Sequence, residues 1–177
     1  MSKLYIGFDP GYNFGVAVVD AEANTIVHTE VIDCRAEKET LTHGVNFCKL
    51  QERILKILLK YKPVCVTIED STALRQFNHQ AVQSLTGTKI AAMMACIKYN
   101  ESKSLAVILK PPMSIKKAVV GSGKANKEDV INWVNNKFNT AFRIKDNHVT
   151  DAIAIACLGV MLCRTNTKQS SSKKGKS

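Results

Sequence analysis

Apolar runs separated by short turn sequences predict three strands at the start of the chain. Residues 3–9 form an apolar run that ends on Asp9, and further runs cover residues 15–19 and 25–32. Runs with such short connections are typical of an antiparallel meander. Asp9 lies where the first strand gives way to Pro-Gly, so its side chain either emerges at the sheet edge or belongs only to a turn.

Helical spacing replaces strand spacing after the meander. From about Thr42 to Tyr61 apolar residues recur on one helical face, and Pro63 ends this amphipathic helix. The next run, 64–68, is almost entirely apolar, as in a strand buried on both faces, and it also ends on a carboxylate, Glu69. A parallel fourth strand after a crossover helix would place the ends of the first and fourth strands side by side.

Two more apolar elements complete the predicted domain. An apolar helix is predicted over 78–99, where it could serve equally as core or as an interface between copies of the chain, and residues 105–109 predict a fifth strand. We expect one α/β domain over residues 1–165. Its five-stranded mixed sheet would combine the three-stranded antiparallel meander with parallel strands and be flanked by helices.

A basic segment connects the fifth strand to the last helix. A short helix begins near Ser114 and breaks at the Gly-Ser-Gly of residues 121–123, and a longer helix is predicted over 127–138 with Asn126 as its N-cap. Residues 101–145 carry nine Lys and Arg against three Asp and Glu, and the whole chain has a net charge of +10. Such a surface favours a polyanion, with nucleic acid as the leading candidate and acidic proteins or anionic lipid as alternatives.

The last predicted helix opens with charged residues and then becomes apolar. His148 and Asp151 stand three residues apart, on one edge of its first turn. A carboxylate that enters a buried helix is costly unless a cation or a metal ion neutralises it. The alternative is an ordinary helix start, capped by Asp146 or Asn147.

Composition narrows the class of protein. The 177 residues are 45% hydrophobic and 23% charged, which suits one globular core. No apolar run approaches the roughly 18 residues that cross a bilayer, so we expect no membrane partner. The N-terminus passes directly into a strand pattern, so we expect no signal peptide and a cytoplasmic location. The six cysteines form no Cys-x-x-Cys pair and are expected to be reduced core residues. Residues 166–177, rich in Ser and Lys, are expected to be a disordered basic tail.

Three carboxylates thus fall at the ends of predicted elements: Asp9, Glu69 and Asp151. The expected topology allows them to converge. Clustered carboxylates repel one another unless a cation neutralises them, and hard divalent ions such as Mg²⁺ do so while leaving coordination positions for phosphate. Two such ions roughly 4 Å apart would clamp the attacking and leaving oxygens of a phosphodiester displacement.

Four motifs between Gly7 and about Ala156 resemble, in order, those of the RuvC-type Holliday junction resolvases. They are Gly-Phe-Asp9-Pro-Gly-x-x-x-Gly, Ile-Glu69, Ile-Lys116-Lys-Ala-Val-Val-Gly-x-Gly-x-Ala-x-Lys127 and His148-x-x-Asp151-Ala-Ile-Ala-Ile-Ala. The resemblance implies an RNase H-like sheet and a homodimer that cuts four-way DNA junctions with Mg²⁺, or Mn²⁺ as substitute, at two ions per active site. It also implies a branch-migration helicase as a partner.

Carried over residue by residue, the resemblance implies metal-binding catalytic carboxylates at Asp9, Glu69 and Asp151. His148 would take the fourth catalytic and metal-binding position, where many members of the family have an aspartate. Neutral imidazole is a poorer ligand for Mg²⁺ than carboxylate and is better suited to Mn²⁺ or to moving protons. Asp146 is the alternative fourth residue.

The resemblance also implies contacts to DNA. Lys116 and Lys127 match basic positions of the family, whereas Thr72 stands where many members carry an aromatic residue for base stacking. The DNA-binding candidates are therefore Lys116, Lys117, Lys124, Lys127, Arg75 and Phe77. Two alternatives to junction cleavage stay open: an RNase H-like nuclease for other branched DNA or RNA–DNA hybrids, and a non-catalytic junction-binding protein.

Overall fold

A five-stranded mixed sheet forms the centre of the part of the chain that the computed structural model describes, residues 2–35, 47–71, 79–101 and 103–173. The strands are β1 (Leu4–Asp9), β2 (Asn13–Asp20), β3 (Thr25–Asp33), β4 (Cys65–Glu69) and β5 (Ala106–Lys110). Their order across the sheet is β3-β2-β1-β4-β5. β2 pairs antiparallel with β1 and β3, and β4 pairs parallel with β1 and β5. The predicted meander with added parallel strands is confirmed.

Helices cover both faces of this sheet. They are α1 (Phe47–Tyr61), α2 (His79–Asn100), α3 (Pro112–Val120), α4 (Lys127–Phe138) and α5 (Asn147–Lys173), with a 3-10 turn at Ile144–Asp146. The apolar residues of α1 and α2 form one core layer with the sheet, and those of α3, α4 and α5 form a second layer on the opposite face. The predicted bounds of α4 are confirmed, whereas residues 42–46 of the predicted first helix lie outside the described residues.

Two helices have bounds that differ from the sequence prediction. α3 begins at Pro112 and not near Ser114, because proline is favoured in the first turn of a helix, where its missing N–H would have had no partner. α5 continues to Lys173, beyond the expected domain boundary at residue 165 and into the segment expected to be disordered.

The face that α2 buries is lined by small residues. Its fully or nearly buried residues include Ala91, Ala92, Ala95 and Cys96. By contrast, the side chains of Ile90, Met94 and Ile97 are 48%, 50% and 63% exposed. Three large apolar residues of this helix are therefore exposed to solvent, and the core alternative fails for these three.

α5 lies directly against β1 and β2 because glycines remove the side chains that would keep it away. A Cβ atom at Gly7 would lie 2.0 Å from the carbonyl oxygen of Ala152, and one at Gly15 would lie 2.4 Å from the carbonyl oxygen of His148. The two glycines thus set how closely the first turns of α5 approach β1, which carries Asp9, and β2 beside it.

α5 is the central helix of its core layer. Every residue from 152 to 158 is at most 4% exposed. Contrary to the expectation from the sequence, the stretch Ile144–Thr165 is long and apolar enough to span a membrane, but half of it is buried inside the fold. Such burial is typical of a core helix in a globular protein.

All six cysteines lie among the described residues, and none of them takes part in a disulfide. Cys34, Cys65, Cys96 and Cys157 are buried, as expected for reduced core residues, whereas Cys48 is exposed on α1. These residues thus form no disulfide framework, in agreement with the spacing of the cysteines.

Candidate active site

One cleft collects the acidic residues that the sequence singled out. Because β1 and β4 are parallel neighbours, with Phe8 opposite Ile68, the carboxylates that follow these residues emerge at the same edge of the sheet. Asp151 lies in the second turn of α5, above this edge. The cleft has a volume of about 510 Å³, and its lining includes Asp9, Glu69, Asp151 and His148.

His148 is hydrogen-bonded to the innermost carboxylate. Its Nδ1 atom lies 2.9 Å from Oδ2 of Asp9, which is only 8% exposed. An ionised carboxylate can only accept, so Nδ1–H donates, and in the neutral imidazole Nε2 then keeps its lone pair. The hydrogen bond to Asp9 raises the pKa of His148. The imidazole is thus oriented with one free nitrogen that can bind a cation or move a proton.

Burial and mutual repulsion make the three carboxylates hard to ionise together. Burial raises the pKa of Asp9, although the hydrogen bond and charge of His148 oppose the rise. Burial and the charge of Asp9 raise the pKa of Glu69 to about 7 and that of Asp151 to about 6. A site with this much unfavourable negative charge has a strong electrostatic preference for a cation.

The donor set fits a hard divalent cation. It offers carboxylate oxygens from Asp9, Glu69 and Asp151, the ligand type that Mg²⁺ and Mn²⁺ prefer, together with one imidazole nitrogen from His148. Among the described residues, no group of three or more His, Cys, Asp or Glu side chains is already arranged to hold a metal ion. The carboxylates share an open cleft and do not form a closed cage, which leaves room for substrate oxygens beside a cation.

Two of the predicted lysines line the same cleft. Lys116 and Lys127 face the acidic residues, and the Nζ atom of Lys116 donates a 2.8 Å hydrogen bond to the carbonyl oxygen of Ala125. Lys117 and Lys124 are exposed on α3 and on the loop before α4, outside the lining of the cleft. The structure therefore brings together two of the predicted DNA-binding lysines with the carboxylates and leaves the other two on the surrounding surface.

The side chain of Asp146 makes a structural hydrogen bond outside the cleft. Its Oδ2 atom accepts a 2.9 Å hydrogen bond from the backbone N–H of Arg143 and closes the 3-10 turn that precedes α5. Asp146 does not line the cleft, whereas His148 does. The alternative that Asp146 supplies the fourth site residue is therefore not supported by the geometry.

Several supporting residues had not been predicted. Ser71 donates a 2.6 Å hydrogen bond to Oε1 of Glu69, and the Nζ atom of Lys89 on α2 lies 2.6 Å from Oδ1 of Asp70. These contacts hold the end of β4 in place. Ser71 and Asp70 are sequence neighbours of Glu69 and could have been suspected, but no local pattern pairs Asp70 with a residue on α2.

Three residues named in the sequence analysis lie outside the described residues. They are Thr72, Arg75 and Phe77. The stacking and DNA-contact roles expected of Arg75 and Phe77 therefore stay predictions.

Comparison with protein families gives a match over most of the chain. The family model described as crossover junction endodeoxyribonuclease RuvC matches residues 5–158. A protein of that name from Prochlorococcus marinus (strain NATL2A) is 30% identical over 161 residues, which cover 89% of this chain and 97% of that protein. Another, from Streptomyces avermitilis, is 30% identical over 155 residues, which cover 85% of this chain and 83% of that protein.

Solved structures share the fold. A structure of Thermus thermophilus RuvC in complex with Holliday junction substrate superposes with a TM-score of 0.76 at 24% identity, over 93% of this chain and 97% of that one. The yeast mitochondrial Holliday junction resolvase superposes with a TM-score of 0.60 at 12% identity, over 93% of this chain and 82% of that one. At these identities the likeness is one of fold, and it agrees with the RNase H-like sheet expected from the motifs.

Proposed function

The chain belongs to the RuvC family of crossover junction endodeoxyribonucleases, and we propose that it resolves four-way DNA junctions by metal-dependent hydrolysis of phosphodiester bonds. The observation that carries the proposal is the single cleft lined by Asp9, Glu69, Asp151 and His148. Four groups of this kind, facing one space, have no evident structural use. Burial and mutual repulsion make ionisation of the carboxylates unfavourable, and bound cations that contact a phosphate would offset this free-energy cost.

The chemistry assigns a task to each side chain. Asp9, Glu69 and Asp151 would hold Mg²⁺, or Mn²⁺ as substitute, at two ions per site, and Nε2 of His148 would complete the set. When bound, the ions supply an activated water and neutralise the charge that develops on the phosphate. Lys116 and Lys127 on the same walls attract the DNA backbone into the cleft and offset negative charge there.

A cleavage assay tests this function. The protein is incubated with a labelled four-way junction, the matching plain duplex and an RNA–DNA hybrid, each with Mg²⁺, with Mn²⁺ and with EDTA. We expect metal-dependent incision of the junction and little incision of the duplex. Preferred cutting of the hybrid would favour the RNase H-like alternative, and junction binding with no cutting in either metal would favour the non-catalytic alternative.

Substitutions link the cleavage to this cleft. Asp151→Asn should abolish incision and leave junction binding largely in place, because it removes a metal-binding charge and little DNA contact. Asp146→Asn is the matched control, since Asp146 lies five residues earlier in the same segment but outside the cleft. Equal loss of cleavage in both variants would contradict the assignment.

We propose that α2 provides the interface of a homodimer. Ile90, Met94 and Ile97 follow the spacing of one helical stripe, and all three are 48–63% exposed. An exposed apolar stripe on a core helix indicates a surface that a partner covers. A second copy of the chain is the expected occupant, because a four-way junction presents two equivalent strands to cut and a symmetric pair of sites matches them.

Sedimentation measurements test the interface. Ile97→Lys should shift the protein towards the monomer, whereas Val27→Lys on the edge strand β3, where Val27 is 45% exposed, should leave the oligomer unchanged. A wild-type protein that sediments as a monomer at all concentrations would refute the interface. A branch-migration helicase as partner and a cytoplasmic location stay predictions.

A further inference from the structure

Lys127 has to be held in place if it is to act at the cleft. It is the first residue of α4, it lines the cleft, and it is exposed to solvent. A lysine side chain has four rotatable bonds and loses considerable rotamer entropy when it is fixed. An exposed lysine with no partner would spend most of its time in solvent, away from the reacting phosphate.

Asn147 supplies such a partner. In the amide orientation that satisfies both neighbours, its side-chain oxygen accepts a hydrogen bond of 3.1 Å from Nζ of Lys127, and its nitrogen donates one of 3.2 Å to the carbonyl oxygen of Ile144. Asn147 is also the first residue of α5, and its backbone oxygen accepts a 3.0 Å hydrogen bond from the hydroxyl of Thr150. The amide is therefore fixed on the helix that carries His148 and Asp151.

The position of the ammonium group agrees with this contact. Asn147 and Lys127 both line the cleft together with Asp9 and Asp151. Burial raises the pKa of Asp9 and of Asp151, and the positive charge of Lys127 opposes the rise at both. The ammonium group of Lys127 is thus close to the acidic cluster while it is bound to the amide.

The amide oxygen of Asn147, a neutral acceptor, is suited to positioning the ammonium group of Lys127. The amide oxygen uses one of the three Nζ–H donors of Lys127 and leaves its full charge and two donors for a phosphate. A carboxylate at position 147 would instead form an ion pair with Lys127 and add negative charge beside Asp151.

We propose that Asn147 is a positioning residue, which holds the ammonium group of Lys127 over the acidic cleft so that it meets the scissile phosphate. The inference rests on the proposed nuclease function and deepens it. It assigns to Asn147 a role that acts through another residue and not through contact with the reacting atoms.

A double-mutant cycle on the single-turnover cleavage rate tests the inference. Asn147→Ala should slow cleavage of a four-way junction about 10-fold, since misplacing a group by about 1 Å can cost up to about 100-fold. In a Lys127→Ala background, Asn147→Ala should cause no further loss. The control background is Lys124→Ala, an exposed lysine outside the cleft, where Asn147→Ala should still cost its full effect of about 10-fold. Equal losses in the wild-type and Lys127→Ala backgrounds would assign Asn147 a general structural role and overturn the inference.

Binding measured in EDTA gives a readout that needs no cleavage. Lys127→Ala should reduce the slope of junction affinity against salt by about one unit, Asn147→Ala should leave it unchanged, and Asn147→Asp should reduce it by about one unit through the new ion pair. An unchanged slope for Asn147→Asp would overturn the inference. If the variants change the salt slope as expected but the wild-type protein never cuts the junction, the proposed nuclease function is refuted, whereas the position of Lys127 is not.

Discussion

Replacing Glu69 with glutamine should abolish cleavage and at the same time stabilise the metal-free protein. The glutamine side chain keeps the oxygen that accepts the 2.6 Å hydrogen bond from Ser71, so the change removes a charge and little packing. In the metal-free cleft that charge is unfavourable, because burial and the nearby charge of Asp9 raise the pKa of Glu69 from 4.5 to about 7. Loss of activity with a gain in stability distinguishes a metal-binding carboxylate from a structural one.

The size and sign of the gain depend on pH. Below pH 4.5 the carboxyl group of Glu69 is protonated in both the folded and the unfolded chain and costs nothing. Between pH 4.5 and 7 the unfolded chain releases the proton first, so the folded protein loses stability as pH rises, and above about pH 7 the loss is complete. A pKa difference of one corresponds to about 1.4 kcal/mol, so the ionised side chain costs up to roughly 3 kcal/mol. Glu69→Gln should recover most of this at pH 8 and almost none at pH 4.5.

Thermal unfolding in EDTA at pH 4.5, 6 and 8 measures the effect. For a domain of this size 1 kcal/mol corresponds to about 2–4 °C in Tm, so the variant should melt several degrees above the wild type at pH 8. Added Mg²⁺ should then stabilise the wild type more than the variant. Glu52→Gln, an exposed glutamate on α1, should change Tm by little at any pH. A Glu69→Gln protein that melts below the wild type at pH 8, or still cuts junctions at the wild-type rate, would show that Glu69 is not a metal-binding carboxylate of this site.

Three further predictions concern other parts of the cleft. Gly15→Ala should cost about 1–3 kcal/mol of stability and slow cleavage, because its Cβ would lie 2.4 Å from the carbonyl oxygen of His148. Gly11→Ala is the control, since the nearest atom to a Cβ there would be 3.8 Å away. Equal melting temperatures for the two variants would contradict this packing. His148→Ala should lose cleavage in Mg²⁺ and in Mn²⁺, whereas His148→Asp should retain activity in Mg²⁺; single-turnover rates decide, and a fully active alanine variant would remove His148 from the site. Lys116→Ala and Lys127→Ala should each reduce the slope of junction affinity against salt concentration by about one unit. Titrations at several salt concentrations measure this slope. Unchanged slopes would show that both are surface lysines that do not contact DNA.

The local patterns of the sequence were sufficient for the elements and for three acidic residues of the cleft. Strands and helices can be predicted from apolar periodicity over a few neighbouring residues. The residue ranges of β1, β4 and α4 were therefore predicted with little error. Asp9, Glu69 and Asp151 stood out because each is a charged residue at the junction of an apolar element with a turn. Convergence of Asp9 and Glu69 then followed from one topological assumption, a parallel β4 beside β1, which the sheet order confirms.

What the sequence left open was decided by packing between distant segments. Periodicity indicates that α2 is apolar, but only its neighbours determine that small residues face the sheet while Ile97 faces outwards. The sequence predicted His148 as the fourth site residue and kept Asp146 as the alternative. Only the structure shows that the carboxylate of Asp146 is hydrogen-bonded to the backbone N–H of Arg143.

The contact between Lys127 and Asn147 had no signal in the sequence at all. It joins the first residue of α4 to the first residue of α5. Apolar burial leaves a periodic trace along the chain, since every turn or pleat must repeat it. A hydrogen bond between two polar side chains on different helices depends only on where those helices pack, and therefore only the tertiary structure determines it.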